Sequence, residues 1–138
     1  MRLLLDTCVV IDWLTDPDSI GNEVWDIIND SDCKLYVSAE TARELIVSFN
    51  NKRLLSKYWK TAEEILVAMK EEAMVDILPI SEHTIFTYSR LTLNEAMDHR
   101  DPSDHVIIAH AITEHLTLLS SDHKFAFYRS QGLDLLEY

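Results

Sequence analysis

Short apolar runs alternating with helix-patterned stretches leave this chain few architectures. Leu3-Leu4-Leu5 begins almost at residue 1 without polar alternation, as a strand covered on both faces requires. Further strands are predicted over Lys34–Val37, Val75–Leu78, Thr117–Leu119 and Leu133–Leu136. Between them lie helical patterns at Thr7–Leu14, Glu23–Asn29, Ala39–Phe49 and Ser56–Glu72, and from Ser81 to about Thr92. Ser38 reads as the cap of the third, with Ala42, Leu45, Ile46 and Phe49 on one face. Asp101-Pro102 is a helix start, a capping aspartate followed by proline at the first helical position, and that helix runs to about His115. Strands alternating with helices predict an α/β fold, an α/β/α sandwich around a mostly parallel sheet.

With 138 residues, two glycines, three prolines and no repeat or low-complexity segment, the chain is expected to form one domain over 1–138. No apolar run approaches the roughly 18–20 residues that cross a bilayer, so no membrane span is expected. The N-terminus reaches Asp6 too early for a signal peptide. Cys8 and Cys33 lie far apart with no C-x-x-C pattern, which fits a reduced, cytoplasmic protein with packed thiols.

In a parallel sheet, sites form in the crevice beyond the carboxyl ends of the strands, and acids are delivered there from several elements. Asp6 follows the first strand and Asp122 follows Leu118-Leu119-Ser120-Ser121. Glu44 lies nearly two turns into the helix begun at Ser38, and Asp104 lies in the first turn after Asp101-Pro102. Each acid alone has an ordinary explanation. A carboxylate near a helix start gains roughly 0.3–1 kcal/mol from the dipole, and Asp104 could pair with Asp101 in a capping box. Four acids from four elements at one rim are harder to explain that way, because crowded carboxylates repel and tend to protonate. A hard divalent cation removes that cost. Such an ion suits phosphodiester hydrolysis, in which it acidifies water and offsets the charge on the departing oxygen.

Net charge cuts the other way. Twelve basic against twenty-four acidic residues give −12, where nucleic-acid binders are usually basic. Part of the acidic excess would be taken up at a metal site, and Arg43, Lys52, Arg53, Lys57 and Lys60 fall in one stretch that is either a phosphate-facing patch or a solvated helix face.

The motifs themselves resemble those of PIN domains. Leu3-Leu4-Leu5-Asp6-Thr7 is similar to their opening strand and first acid, and Val37-Ser38-Ala39-Glu40-Thr41-Ala42-Arg43-Glu44-Leu45 to their second motif. His99-Arg100-Asp101-Pro102-Ser103-Asp104-His105, running into Ile108-Ala109-His110-Ala111, resembles the third motif of bacterial PIN-domain toxins of the VapC type. Leu118-Leu119-Ser120-Ser121-Asp122, with Phe125 and Tyr128, resembles the fourth, and Leu78-Pro79-Ile80 matches one VapC-like subgroup. The likeness spans almost the whole chain.

The resemblance implies a PIN-like sandwich and a ribonuclease dependent on Mg²⁺ or Mn²⁺, with Asp6, Glu44, Asp104 and Asp122 as metal-binding and catalytic acids. It places Thr7 and Ser121 beside them as hydrogen-bonding hydroxyls, and Asp101 as a recurrent acid assigned first to capping. It further implies RNA as substrate, a cognate antitoxin protein as partner, and a homodimer. The chain departs from the pattern at Ser103-Asp104-His105, where an aromatic residue and Asp-Arg are usual, at His110, where glutamine is usual, and at Cys8, where histidine is frequent. The missing arginine removes a fixed cation near the substrate.

Other residues invite less. No H-E-x-x-H and no Cys/His zinc spacing occurs among the six histidines. His99 and His105 are expected near the acid cluster, and for His105 a phosphate contact competes with an ordinary surface or packing role. Trp13, Trp25 and Trp59 read as core or dimer contacts, and Leu54-Leu55 with Tyr58-Trp59 as either a groove for an antitoxin helix or simple burial. A receiver or haloacid-dehalogenase-type domain would need paired acids at the first strand, where this chain has Asp6-Thr7-Cys8. A PIN-like interaction module without catalysis is the remaining alternative.

Overall fold

The computed structural model describes residues 1–51 and 54–138; the Lys52 and Arg53 of the basic stretch therefore lie outside the described residues. Five strands, β1 (Arg2–Leu5), β2 (Lys34–Ser38), β3 (Asp76–Leu78), β4 (Thr117–Ser120) and β5 (Asp134–Glu137), form one sheet in the order β3-β2-β1-β4-β5. Every pairing is parallel, so the sheet is wholly rather than mostly so. The helices are α1 (Thr7–Thr15), α2 (Asn22–Ile28), α3 (Ala39–Asn50), α4 (Ala62–Val67), α5 (Glu82–Arg90) and α6 (Pro102–Glu114).

Strand side chains alternate between two cores. Leu3, Leu5, Leu35, Val37 and Leu119 face one layer with Val9, Val24, Leu45 and Ile65 from α1 to α4. Leu4, Tyr36, Leu118 and Leu135 face the other with Ile107, Ile108 and Ala111 of α6 and with Phe125 and Tyr128. Both faces are thus covered, and the sandwich is the one the apolar runs predicted.

Two segments differ from the sequence reading. The long helix expected over Ser56–Glu72 is broken: a 3₁₀ turn at Leu54–Lys57 precedes α4, and a π turn at Ala68–Glu72 follows it. Thr61 is extended, and its hydroxyl accepts the Glu64 backbone N–H, so a local cap starts a new helix where the periodicity ran on. The other is a 3₁₀ helix over His123–Gln131, which was not anticipated and carries Phe125 and Tyr128 into the second core.

β1 is central. The chain leaves it for β2 and β3 on one side and returns through β4 and β5 on the other. The order reverses between β1 and β4, and the crevice outside their carboxyl ends is where such sheets bind ligands. The backbone N–H of Asp6 donates to the Leu119 carbonyl across that junction (3.0 Å).

Candidate metal centre

Asp6 caps α1, its Oδ1 accepting from the Thr7 N–H at 2.8 Å. Its Oδ2 accepts from the Ser120 hydroxyl (2.7 Å) and from the Cys8 thiol (3.2 Å). Ser120 also accepts the Asp122 N–H at 3.1 Å, so one buried hydroxyl ties the acids after β1 and β4 together. Asp122 caps the 3₁₀ helix, accepting from Lys124 N–H (2.9 Å).

Glu44 is reached from α1: the Thr7 hydroxyl donates to its Oε2. Ser38 accepts the Glu40 N–H at the start of α3 and lies 2.9 Å from Nδ1 of the buried His110 on α6. A second clasp joins the same helices. The Ser103 hydroxyl donates to Glu40 Oε1 (2.7 Å), and Arg43 donates to Ser103 Oγ (3.1 Å). Two of the residues that depart from the family pattern, Ser103 and His110, therefore fasten the helices that carry Asp104 and Glu44.

Asp101 caps α6 by accepting from Ser103 N–H (3.0 Å), with Pro102 next to it, as the Asp-Pro signal predicted. Asp104 does not complete a capping box; its Oδ2 lies 2.9 Å from His99 Nε2. Ligand atoms of His99, Asp104 and Asp122 all stand within 4.8 Å of one another. That tight group contains two of the four expected acids. Asp6 and Glu44 lie within electrostatic reach of it, with their oxygens held by protein donors.

The electrostatics show how closely the acids gather. Burial pushes Asp104 up to about 8, with Asp6, Asp101, Glu44 and Asp122 adding to the effect. Burial also raises Asp6 against its hydrogen bonds from Ser120, Cys8 and Thr7, with Asp122 contributing. Glu44 rises for the same first reason, opposed by Thr7 and reinforced by Asp101, Asp6 and Glu40. Among the described residues no lysine or arginine forms a salt bridge to any of the four; Arg43 is taken by Glu40. Hard oxygens crowded without a protein cation are a donor set that fits Mg²⁺ or Mn²⁺.

Ser120 is the contact that sequence reasoning passed over, and His99, expected near the acids, was given no role among them. Ser121, the hydroxyl singled out instead, lies 3.5 Å from the Cys8 sulfur. His105 is buried and its Nε2 lies 3.0 Å from the His99 carbonyl, which can only accept; of its two readings, packing is the one the structure gives.

An acid cluster at the switch point of a parallel sheet defines a class of domain, and the comparisons name it. The PIN domain family profile matches residues 3–130, and the chain belongs to that family. No curated protein matches the sequence. Solved structures share the fold. The VapBC2 complex of Rickettsia felis bound to a promoter DNA fragment contains a chain 21% identical, with a TM-score of 0.74 over 99% of this chain and 98% of that one. VapBC-1 from nontypeable Haemophilus influenzae gives 21% identity and a TM-score of 0.69 over the same shares. FitAcB from Neisseria gonorrhoeae gives 23% and 0.64 over 98% and 96%.

Proposed function

We propose that this PIN domain is a divalent-metal-dependent endoribonuclease of the cytoplasm and the toxin of a toxin–antitoxin pair. The observation that carries the reading is the gathering of His99, Asp104 and Asp122 ligand atoms within 4.8 Å of one another, with no lysine or arginine among the described residues in a salt bridge to either acid. Asp6, Glu44, Asp104 and Asp122 are the residues that would hold Mg²⁺ or Mn²⁺, and the ion would supply an acidified water and positive charge against the developing phosphorane. Within the chain, Ser120 and Thr7 orient Asp6 and Glu44, and the Glu40–Ser103–Arg43 clasp sets the spacing between α3 and α6.

The toxin role and an antitoxin partner rest on solved neighbours that include a toxin–antitoxin complex from Klebsiella pneumoniae, 19% identical with a TM-score of 0.61 over 90% of each chain. An open hollow of about 570 Å³ lined by Phe49, Asn50, Ser56, Trp59 and Lys60 offers a partner helix a place. Tyr58 is exposed beside it, whereas Leu55 is buried and belongs to the core. Ile85, Phe86, Leu93, Met97 and Phe127 are each exposed apolar side chains, of the kind a homodimer contact would cover.

The test is Mn²⁺-dependent cleavage of RNA by purified protein. Asp104→Asn is expected to lower the rate by at least about a hundredfold, as loss of a group acting in the transition state does, with an unchanged circular dichroism spectrum. Undiminished cleavage by that variant refutes the assignment. Mn²⁺ binding without any RNA cleavage favours the silent interaction module, a reading that the net charge of −12 supports.

A further inference from the structure

His99 lies close enough to Asp104 and Asp122 to pass for a metal ligand, and distance alone does not decide the matter. Two donors cis to each other on an octahedral ion, each about 2.1 Å from it, stand about 3.0 Å apart. The observed 2.9 Å between His99 Nε2 and Asp104 Oδ2 suits that arrangement and an N–H···O bond equally well. The direction of the hydrogen bonds behind the ring does decide it.

The chain of bonds begins at a group with no choice. The backbone N–H of Asn94 can only donate, and it donates to the Tyr128 hydroxyl oxygen at 3.1 Å. The phenol proton is thereby left to be given away, and the acceptor beside it is His99 Nδ1 at 3.0 Å. An imidazole that accepts at Nδ1 carries its proton on Nε2, and an imidazolium carries one there too. In both protonation states the atom facing Asp104 is a donor. We infer that Asn94, Tyr128 and His99 form a one-way hydrogen-bond relay that holds Oδ2 of Asp104 and leaves its other oxygen for the ion, so that His99 is a positioning residue and not a ligand.

The surroundings keep the relay rigid although residues 91–101 form no regular element. His99, Tyr128 and Asn94 are all buried. The rings of His105, Phe125 and Tyr128 surround that of His99 at 4.7, 5.4 and 5.6 Å. The backbone N–H of His99 donates to the backbone carbonyl of Asn94 (3.0 Å), and the Asn94 side-chain amide donates to the Lys124 carbonyl (3.1 Å). This loop is therefore pinned to the 3₁₀ helix that Asp122 caps, and the relay couples the position of Asp104 to that of Asp122.

The inference rests on the metal-dependent reading above, and its test separates the two. Mn²⁺ affinity of the purified full chain is measured by electron paramagnetic resonance, with circular dichroism as the check on folding. Tyr128→Phe keeps the ring but removes the donor to Nδ1, and His99→Leu removes the relay's end. Both are expected to weaken Mn²⁺ binding about tenfold, the lower bound for loss of a group that orients a ligand. His99→Gln places an N–H near the lost Nε2 and is expected to stay within about threefold of the wild type, a rescue that a merely structural role for the ring would not give. Spin-echo modulation from a directly bound nitrogen in the wild-type Mn²⁺ complex overturns the inference, since the imidazole would then be a ligand. Unchanged affinity in Tyr128→Phe overturns it as well and leaves the metal site standing. Wild-type protein that takes up no Mn²⁺ refutes the ribonuclease reading and the relay with it.

Discussion

Ser120 is buried and holds two partners at once, donating to Asp6 Oδ2 and accepting from Asp122 N–H. Ser120→Ala leaves that N–H without its acceptor and takes from Asp6 the shorter of the two bonds to its Oδ2, at a cost of about 1–3 kcal/mol for a buried polar group left unsatisfied. The same change raises the Asp6 carboxyl further, because the Ser120 bond is the largest of the effects that lower it. Urea unfolding and Mn²⁺ titration are both expected to show the loss in Ser120→Ala and to move less in Ser121→Ala, whose hydroxyl lies 3.5 Å from the Cys8 sulfur. Equal effects of the two substitutions contradict this division of labour. The positions of Asp6, Glu44, Asp104 and Asp122 were legible because each sits at a fixed offset from a strand end or a helix cap. Their neighbours were not, since alternation along β4 does not say which of two adjacent serines turns toward Asp6. His99 was expected near the acids, but its role was hidden for a related reason: it lies on a segment without periodicity, and the buried Tyr128, 29 residues away, gives its ring direction.

At the scale of the element, α6 shows capping and chemistry sharing one turn. Asp101 caps the helix while Asp104, three residues on, faces His99. The two roles separate on mutation. Asp101→Ala is expected to destabilise the protein by about 1 kcal/mol through loss of the cap, and Asp101→Ser to restore most of that. Mn²⁺ binding is expected to survive both, because Asp101 acts on Asp104 only by charge repulsion, which its removal relaxes. Loss of metal binding in Asp101→Ser, with stability intact, would make Asp101 a ligand. The strands and most helices were legible from apolar runs and caps, as Asp101-Pro102 illustrates. The Ser56–Glu72 region was not. Its apolar stripe continues through a break imposed by the Thr61 cap, and a π turn at Ala68–Glu72 has no sequence period of its own. The 3₁₀ helix at His123–Gln131 was invisible for the same reason: its aromatic residues fit the second core without marking a helical face.

For the molecule as a whole, the cost of gathering acids appears as a dependence of stability on pH. Asp104 ordinarily titrates near 3.8 but is pushed up to about 8 in the folded, metal-free chain, and Asp6 and Glu44 move in the same direction. The folded state therefore holds these protons more tightly than the unfolded state, and stability is lost as pH rises from about 4 through about 8. Burial lowers His99 and His110 from 6.5, so their opposing contribution lies at more acid pH and leaves the upper part of the window to the carboxylates. A net charge of −12 adds self-repulsion of the same sign. Thermal melts in EDTA are expected to show Tm falling between about pH 7 and 8, more steeply in wild type than in Asp104→Asn, whose carboxamide does not ionise. Mn²⁺ at a hundredfold excess over its Kd is expected to restore about 2.7 kcal/mol at the alkaline end by mass action. That restoration should shrink as pH falls, because protons then compete with the ion for the same oxygens. A metal-free wild-type Tm that is flat or rising across this range, or an Asp104→Asn variant that melts with the same slope, would mean that the acids are not crowded in the folded protein and would remove the physical reason for an ion to bind there.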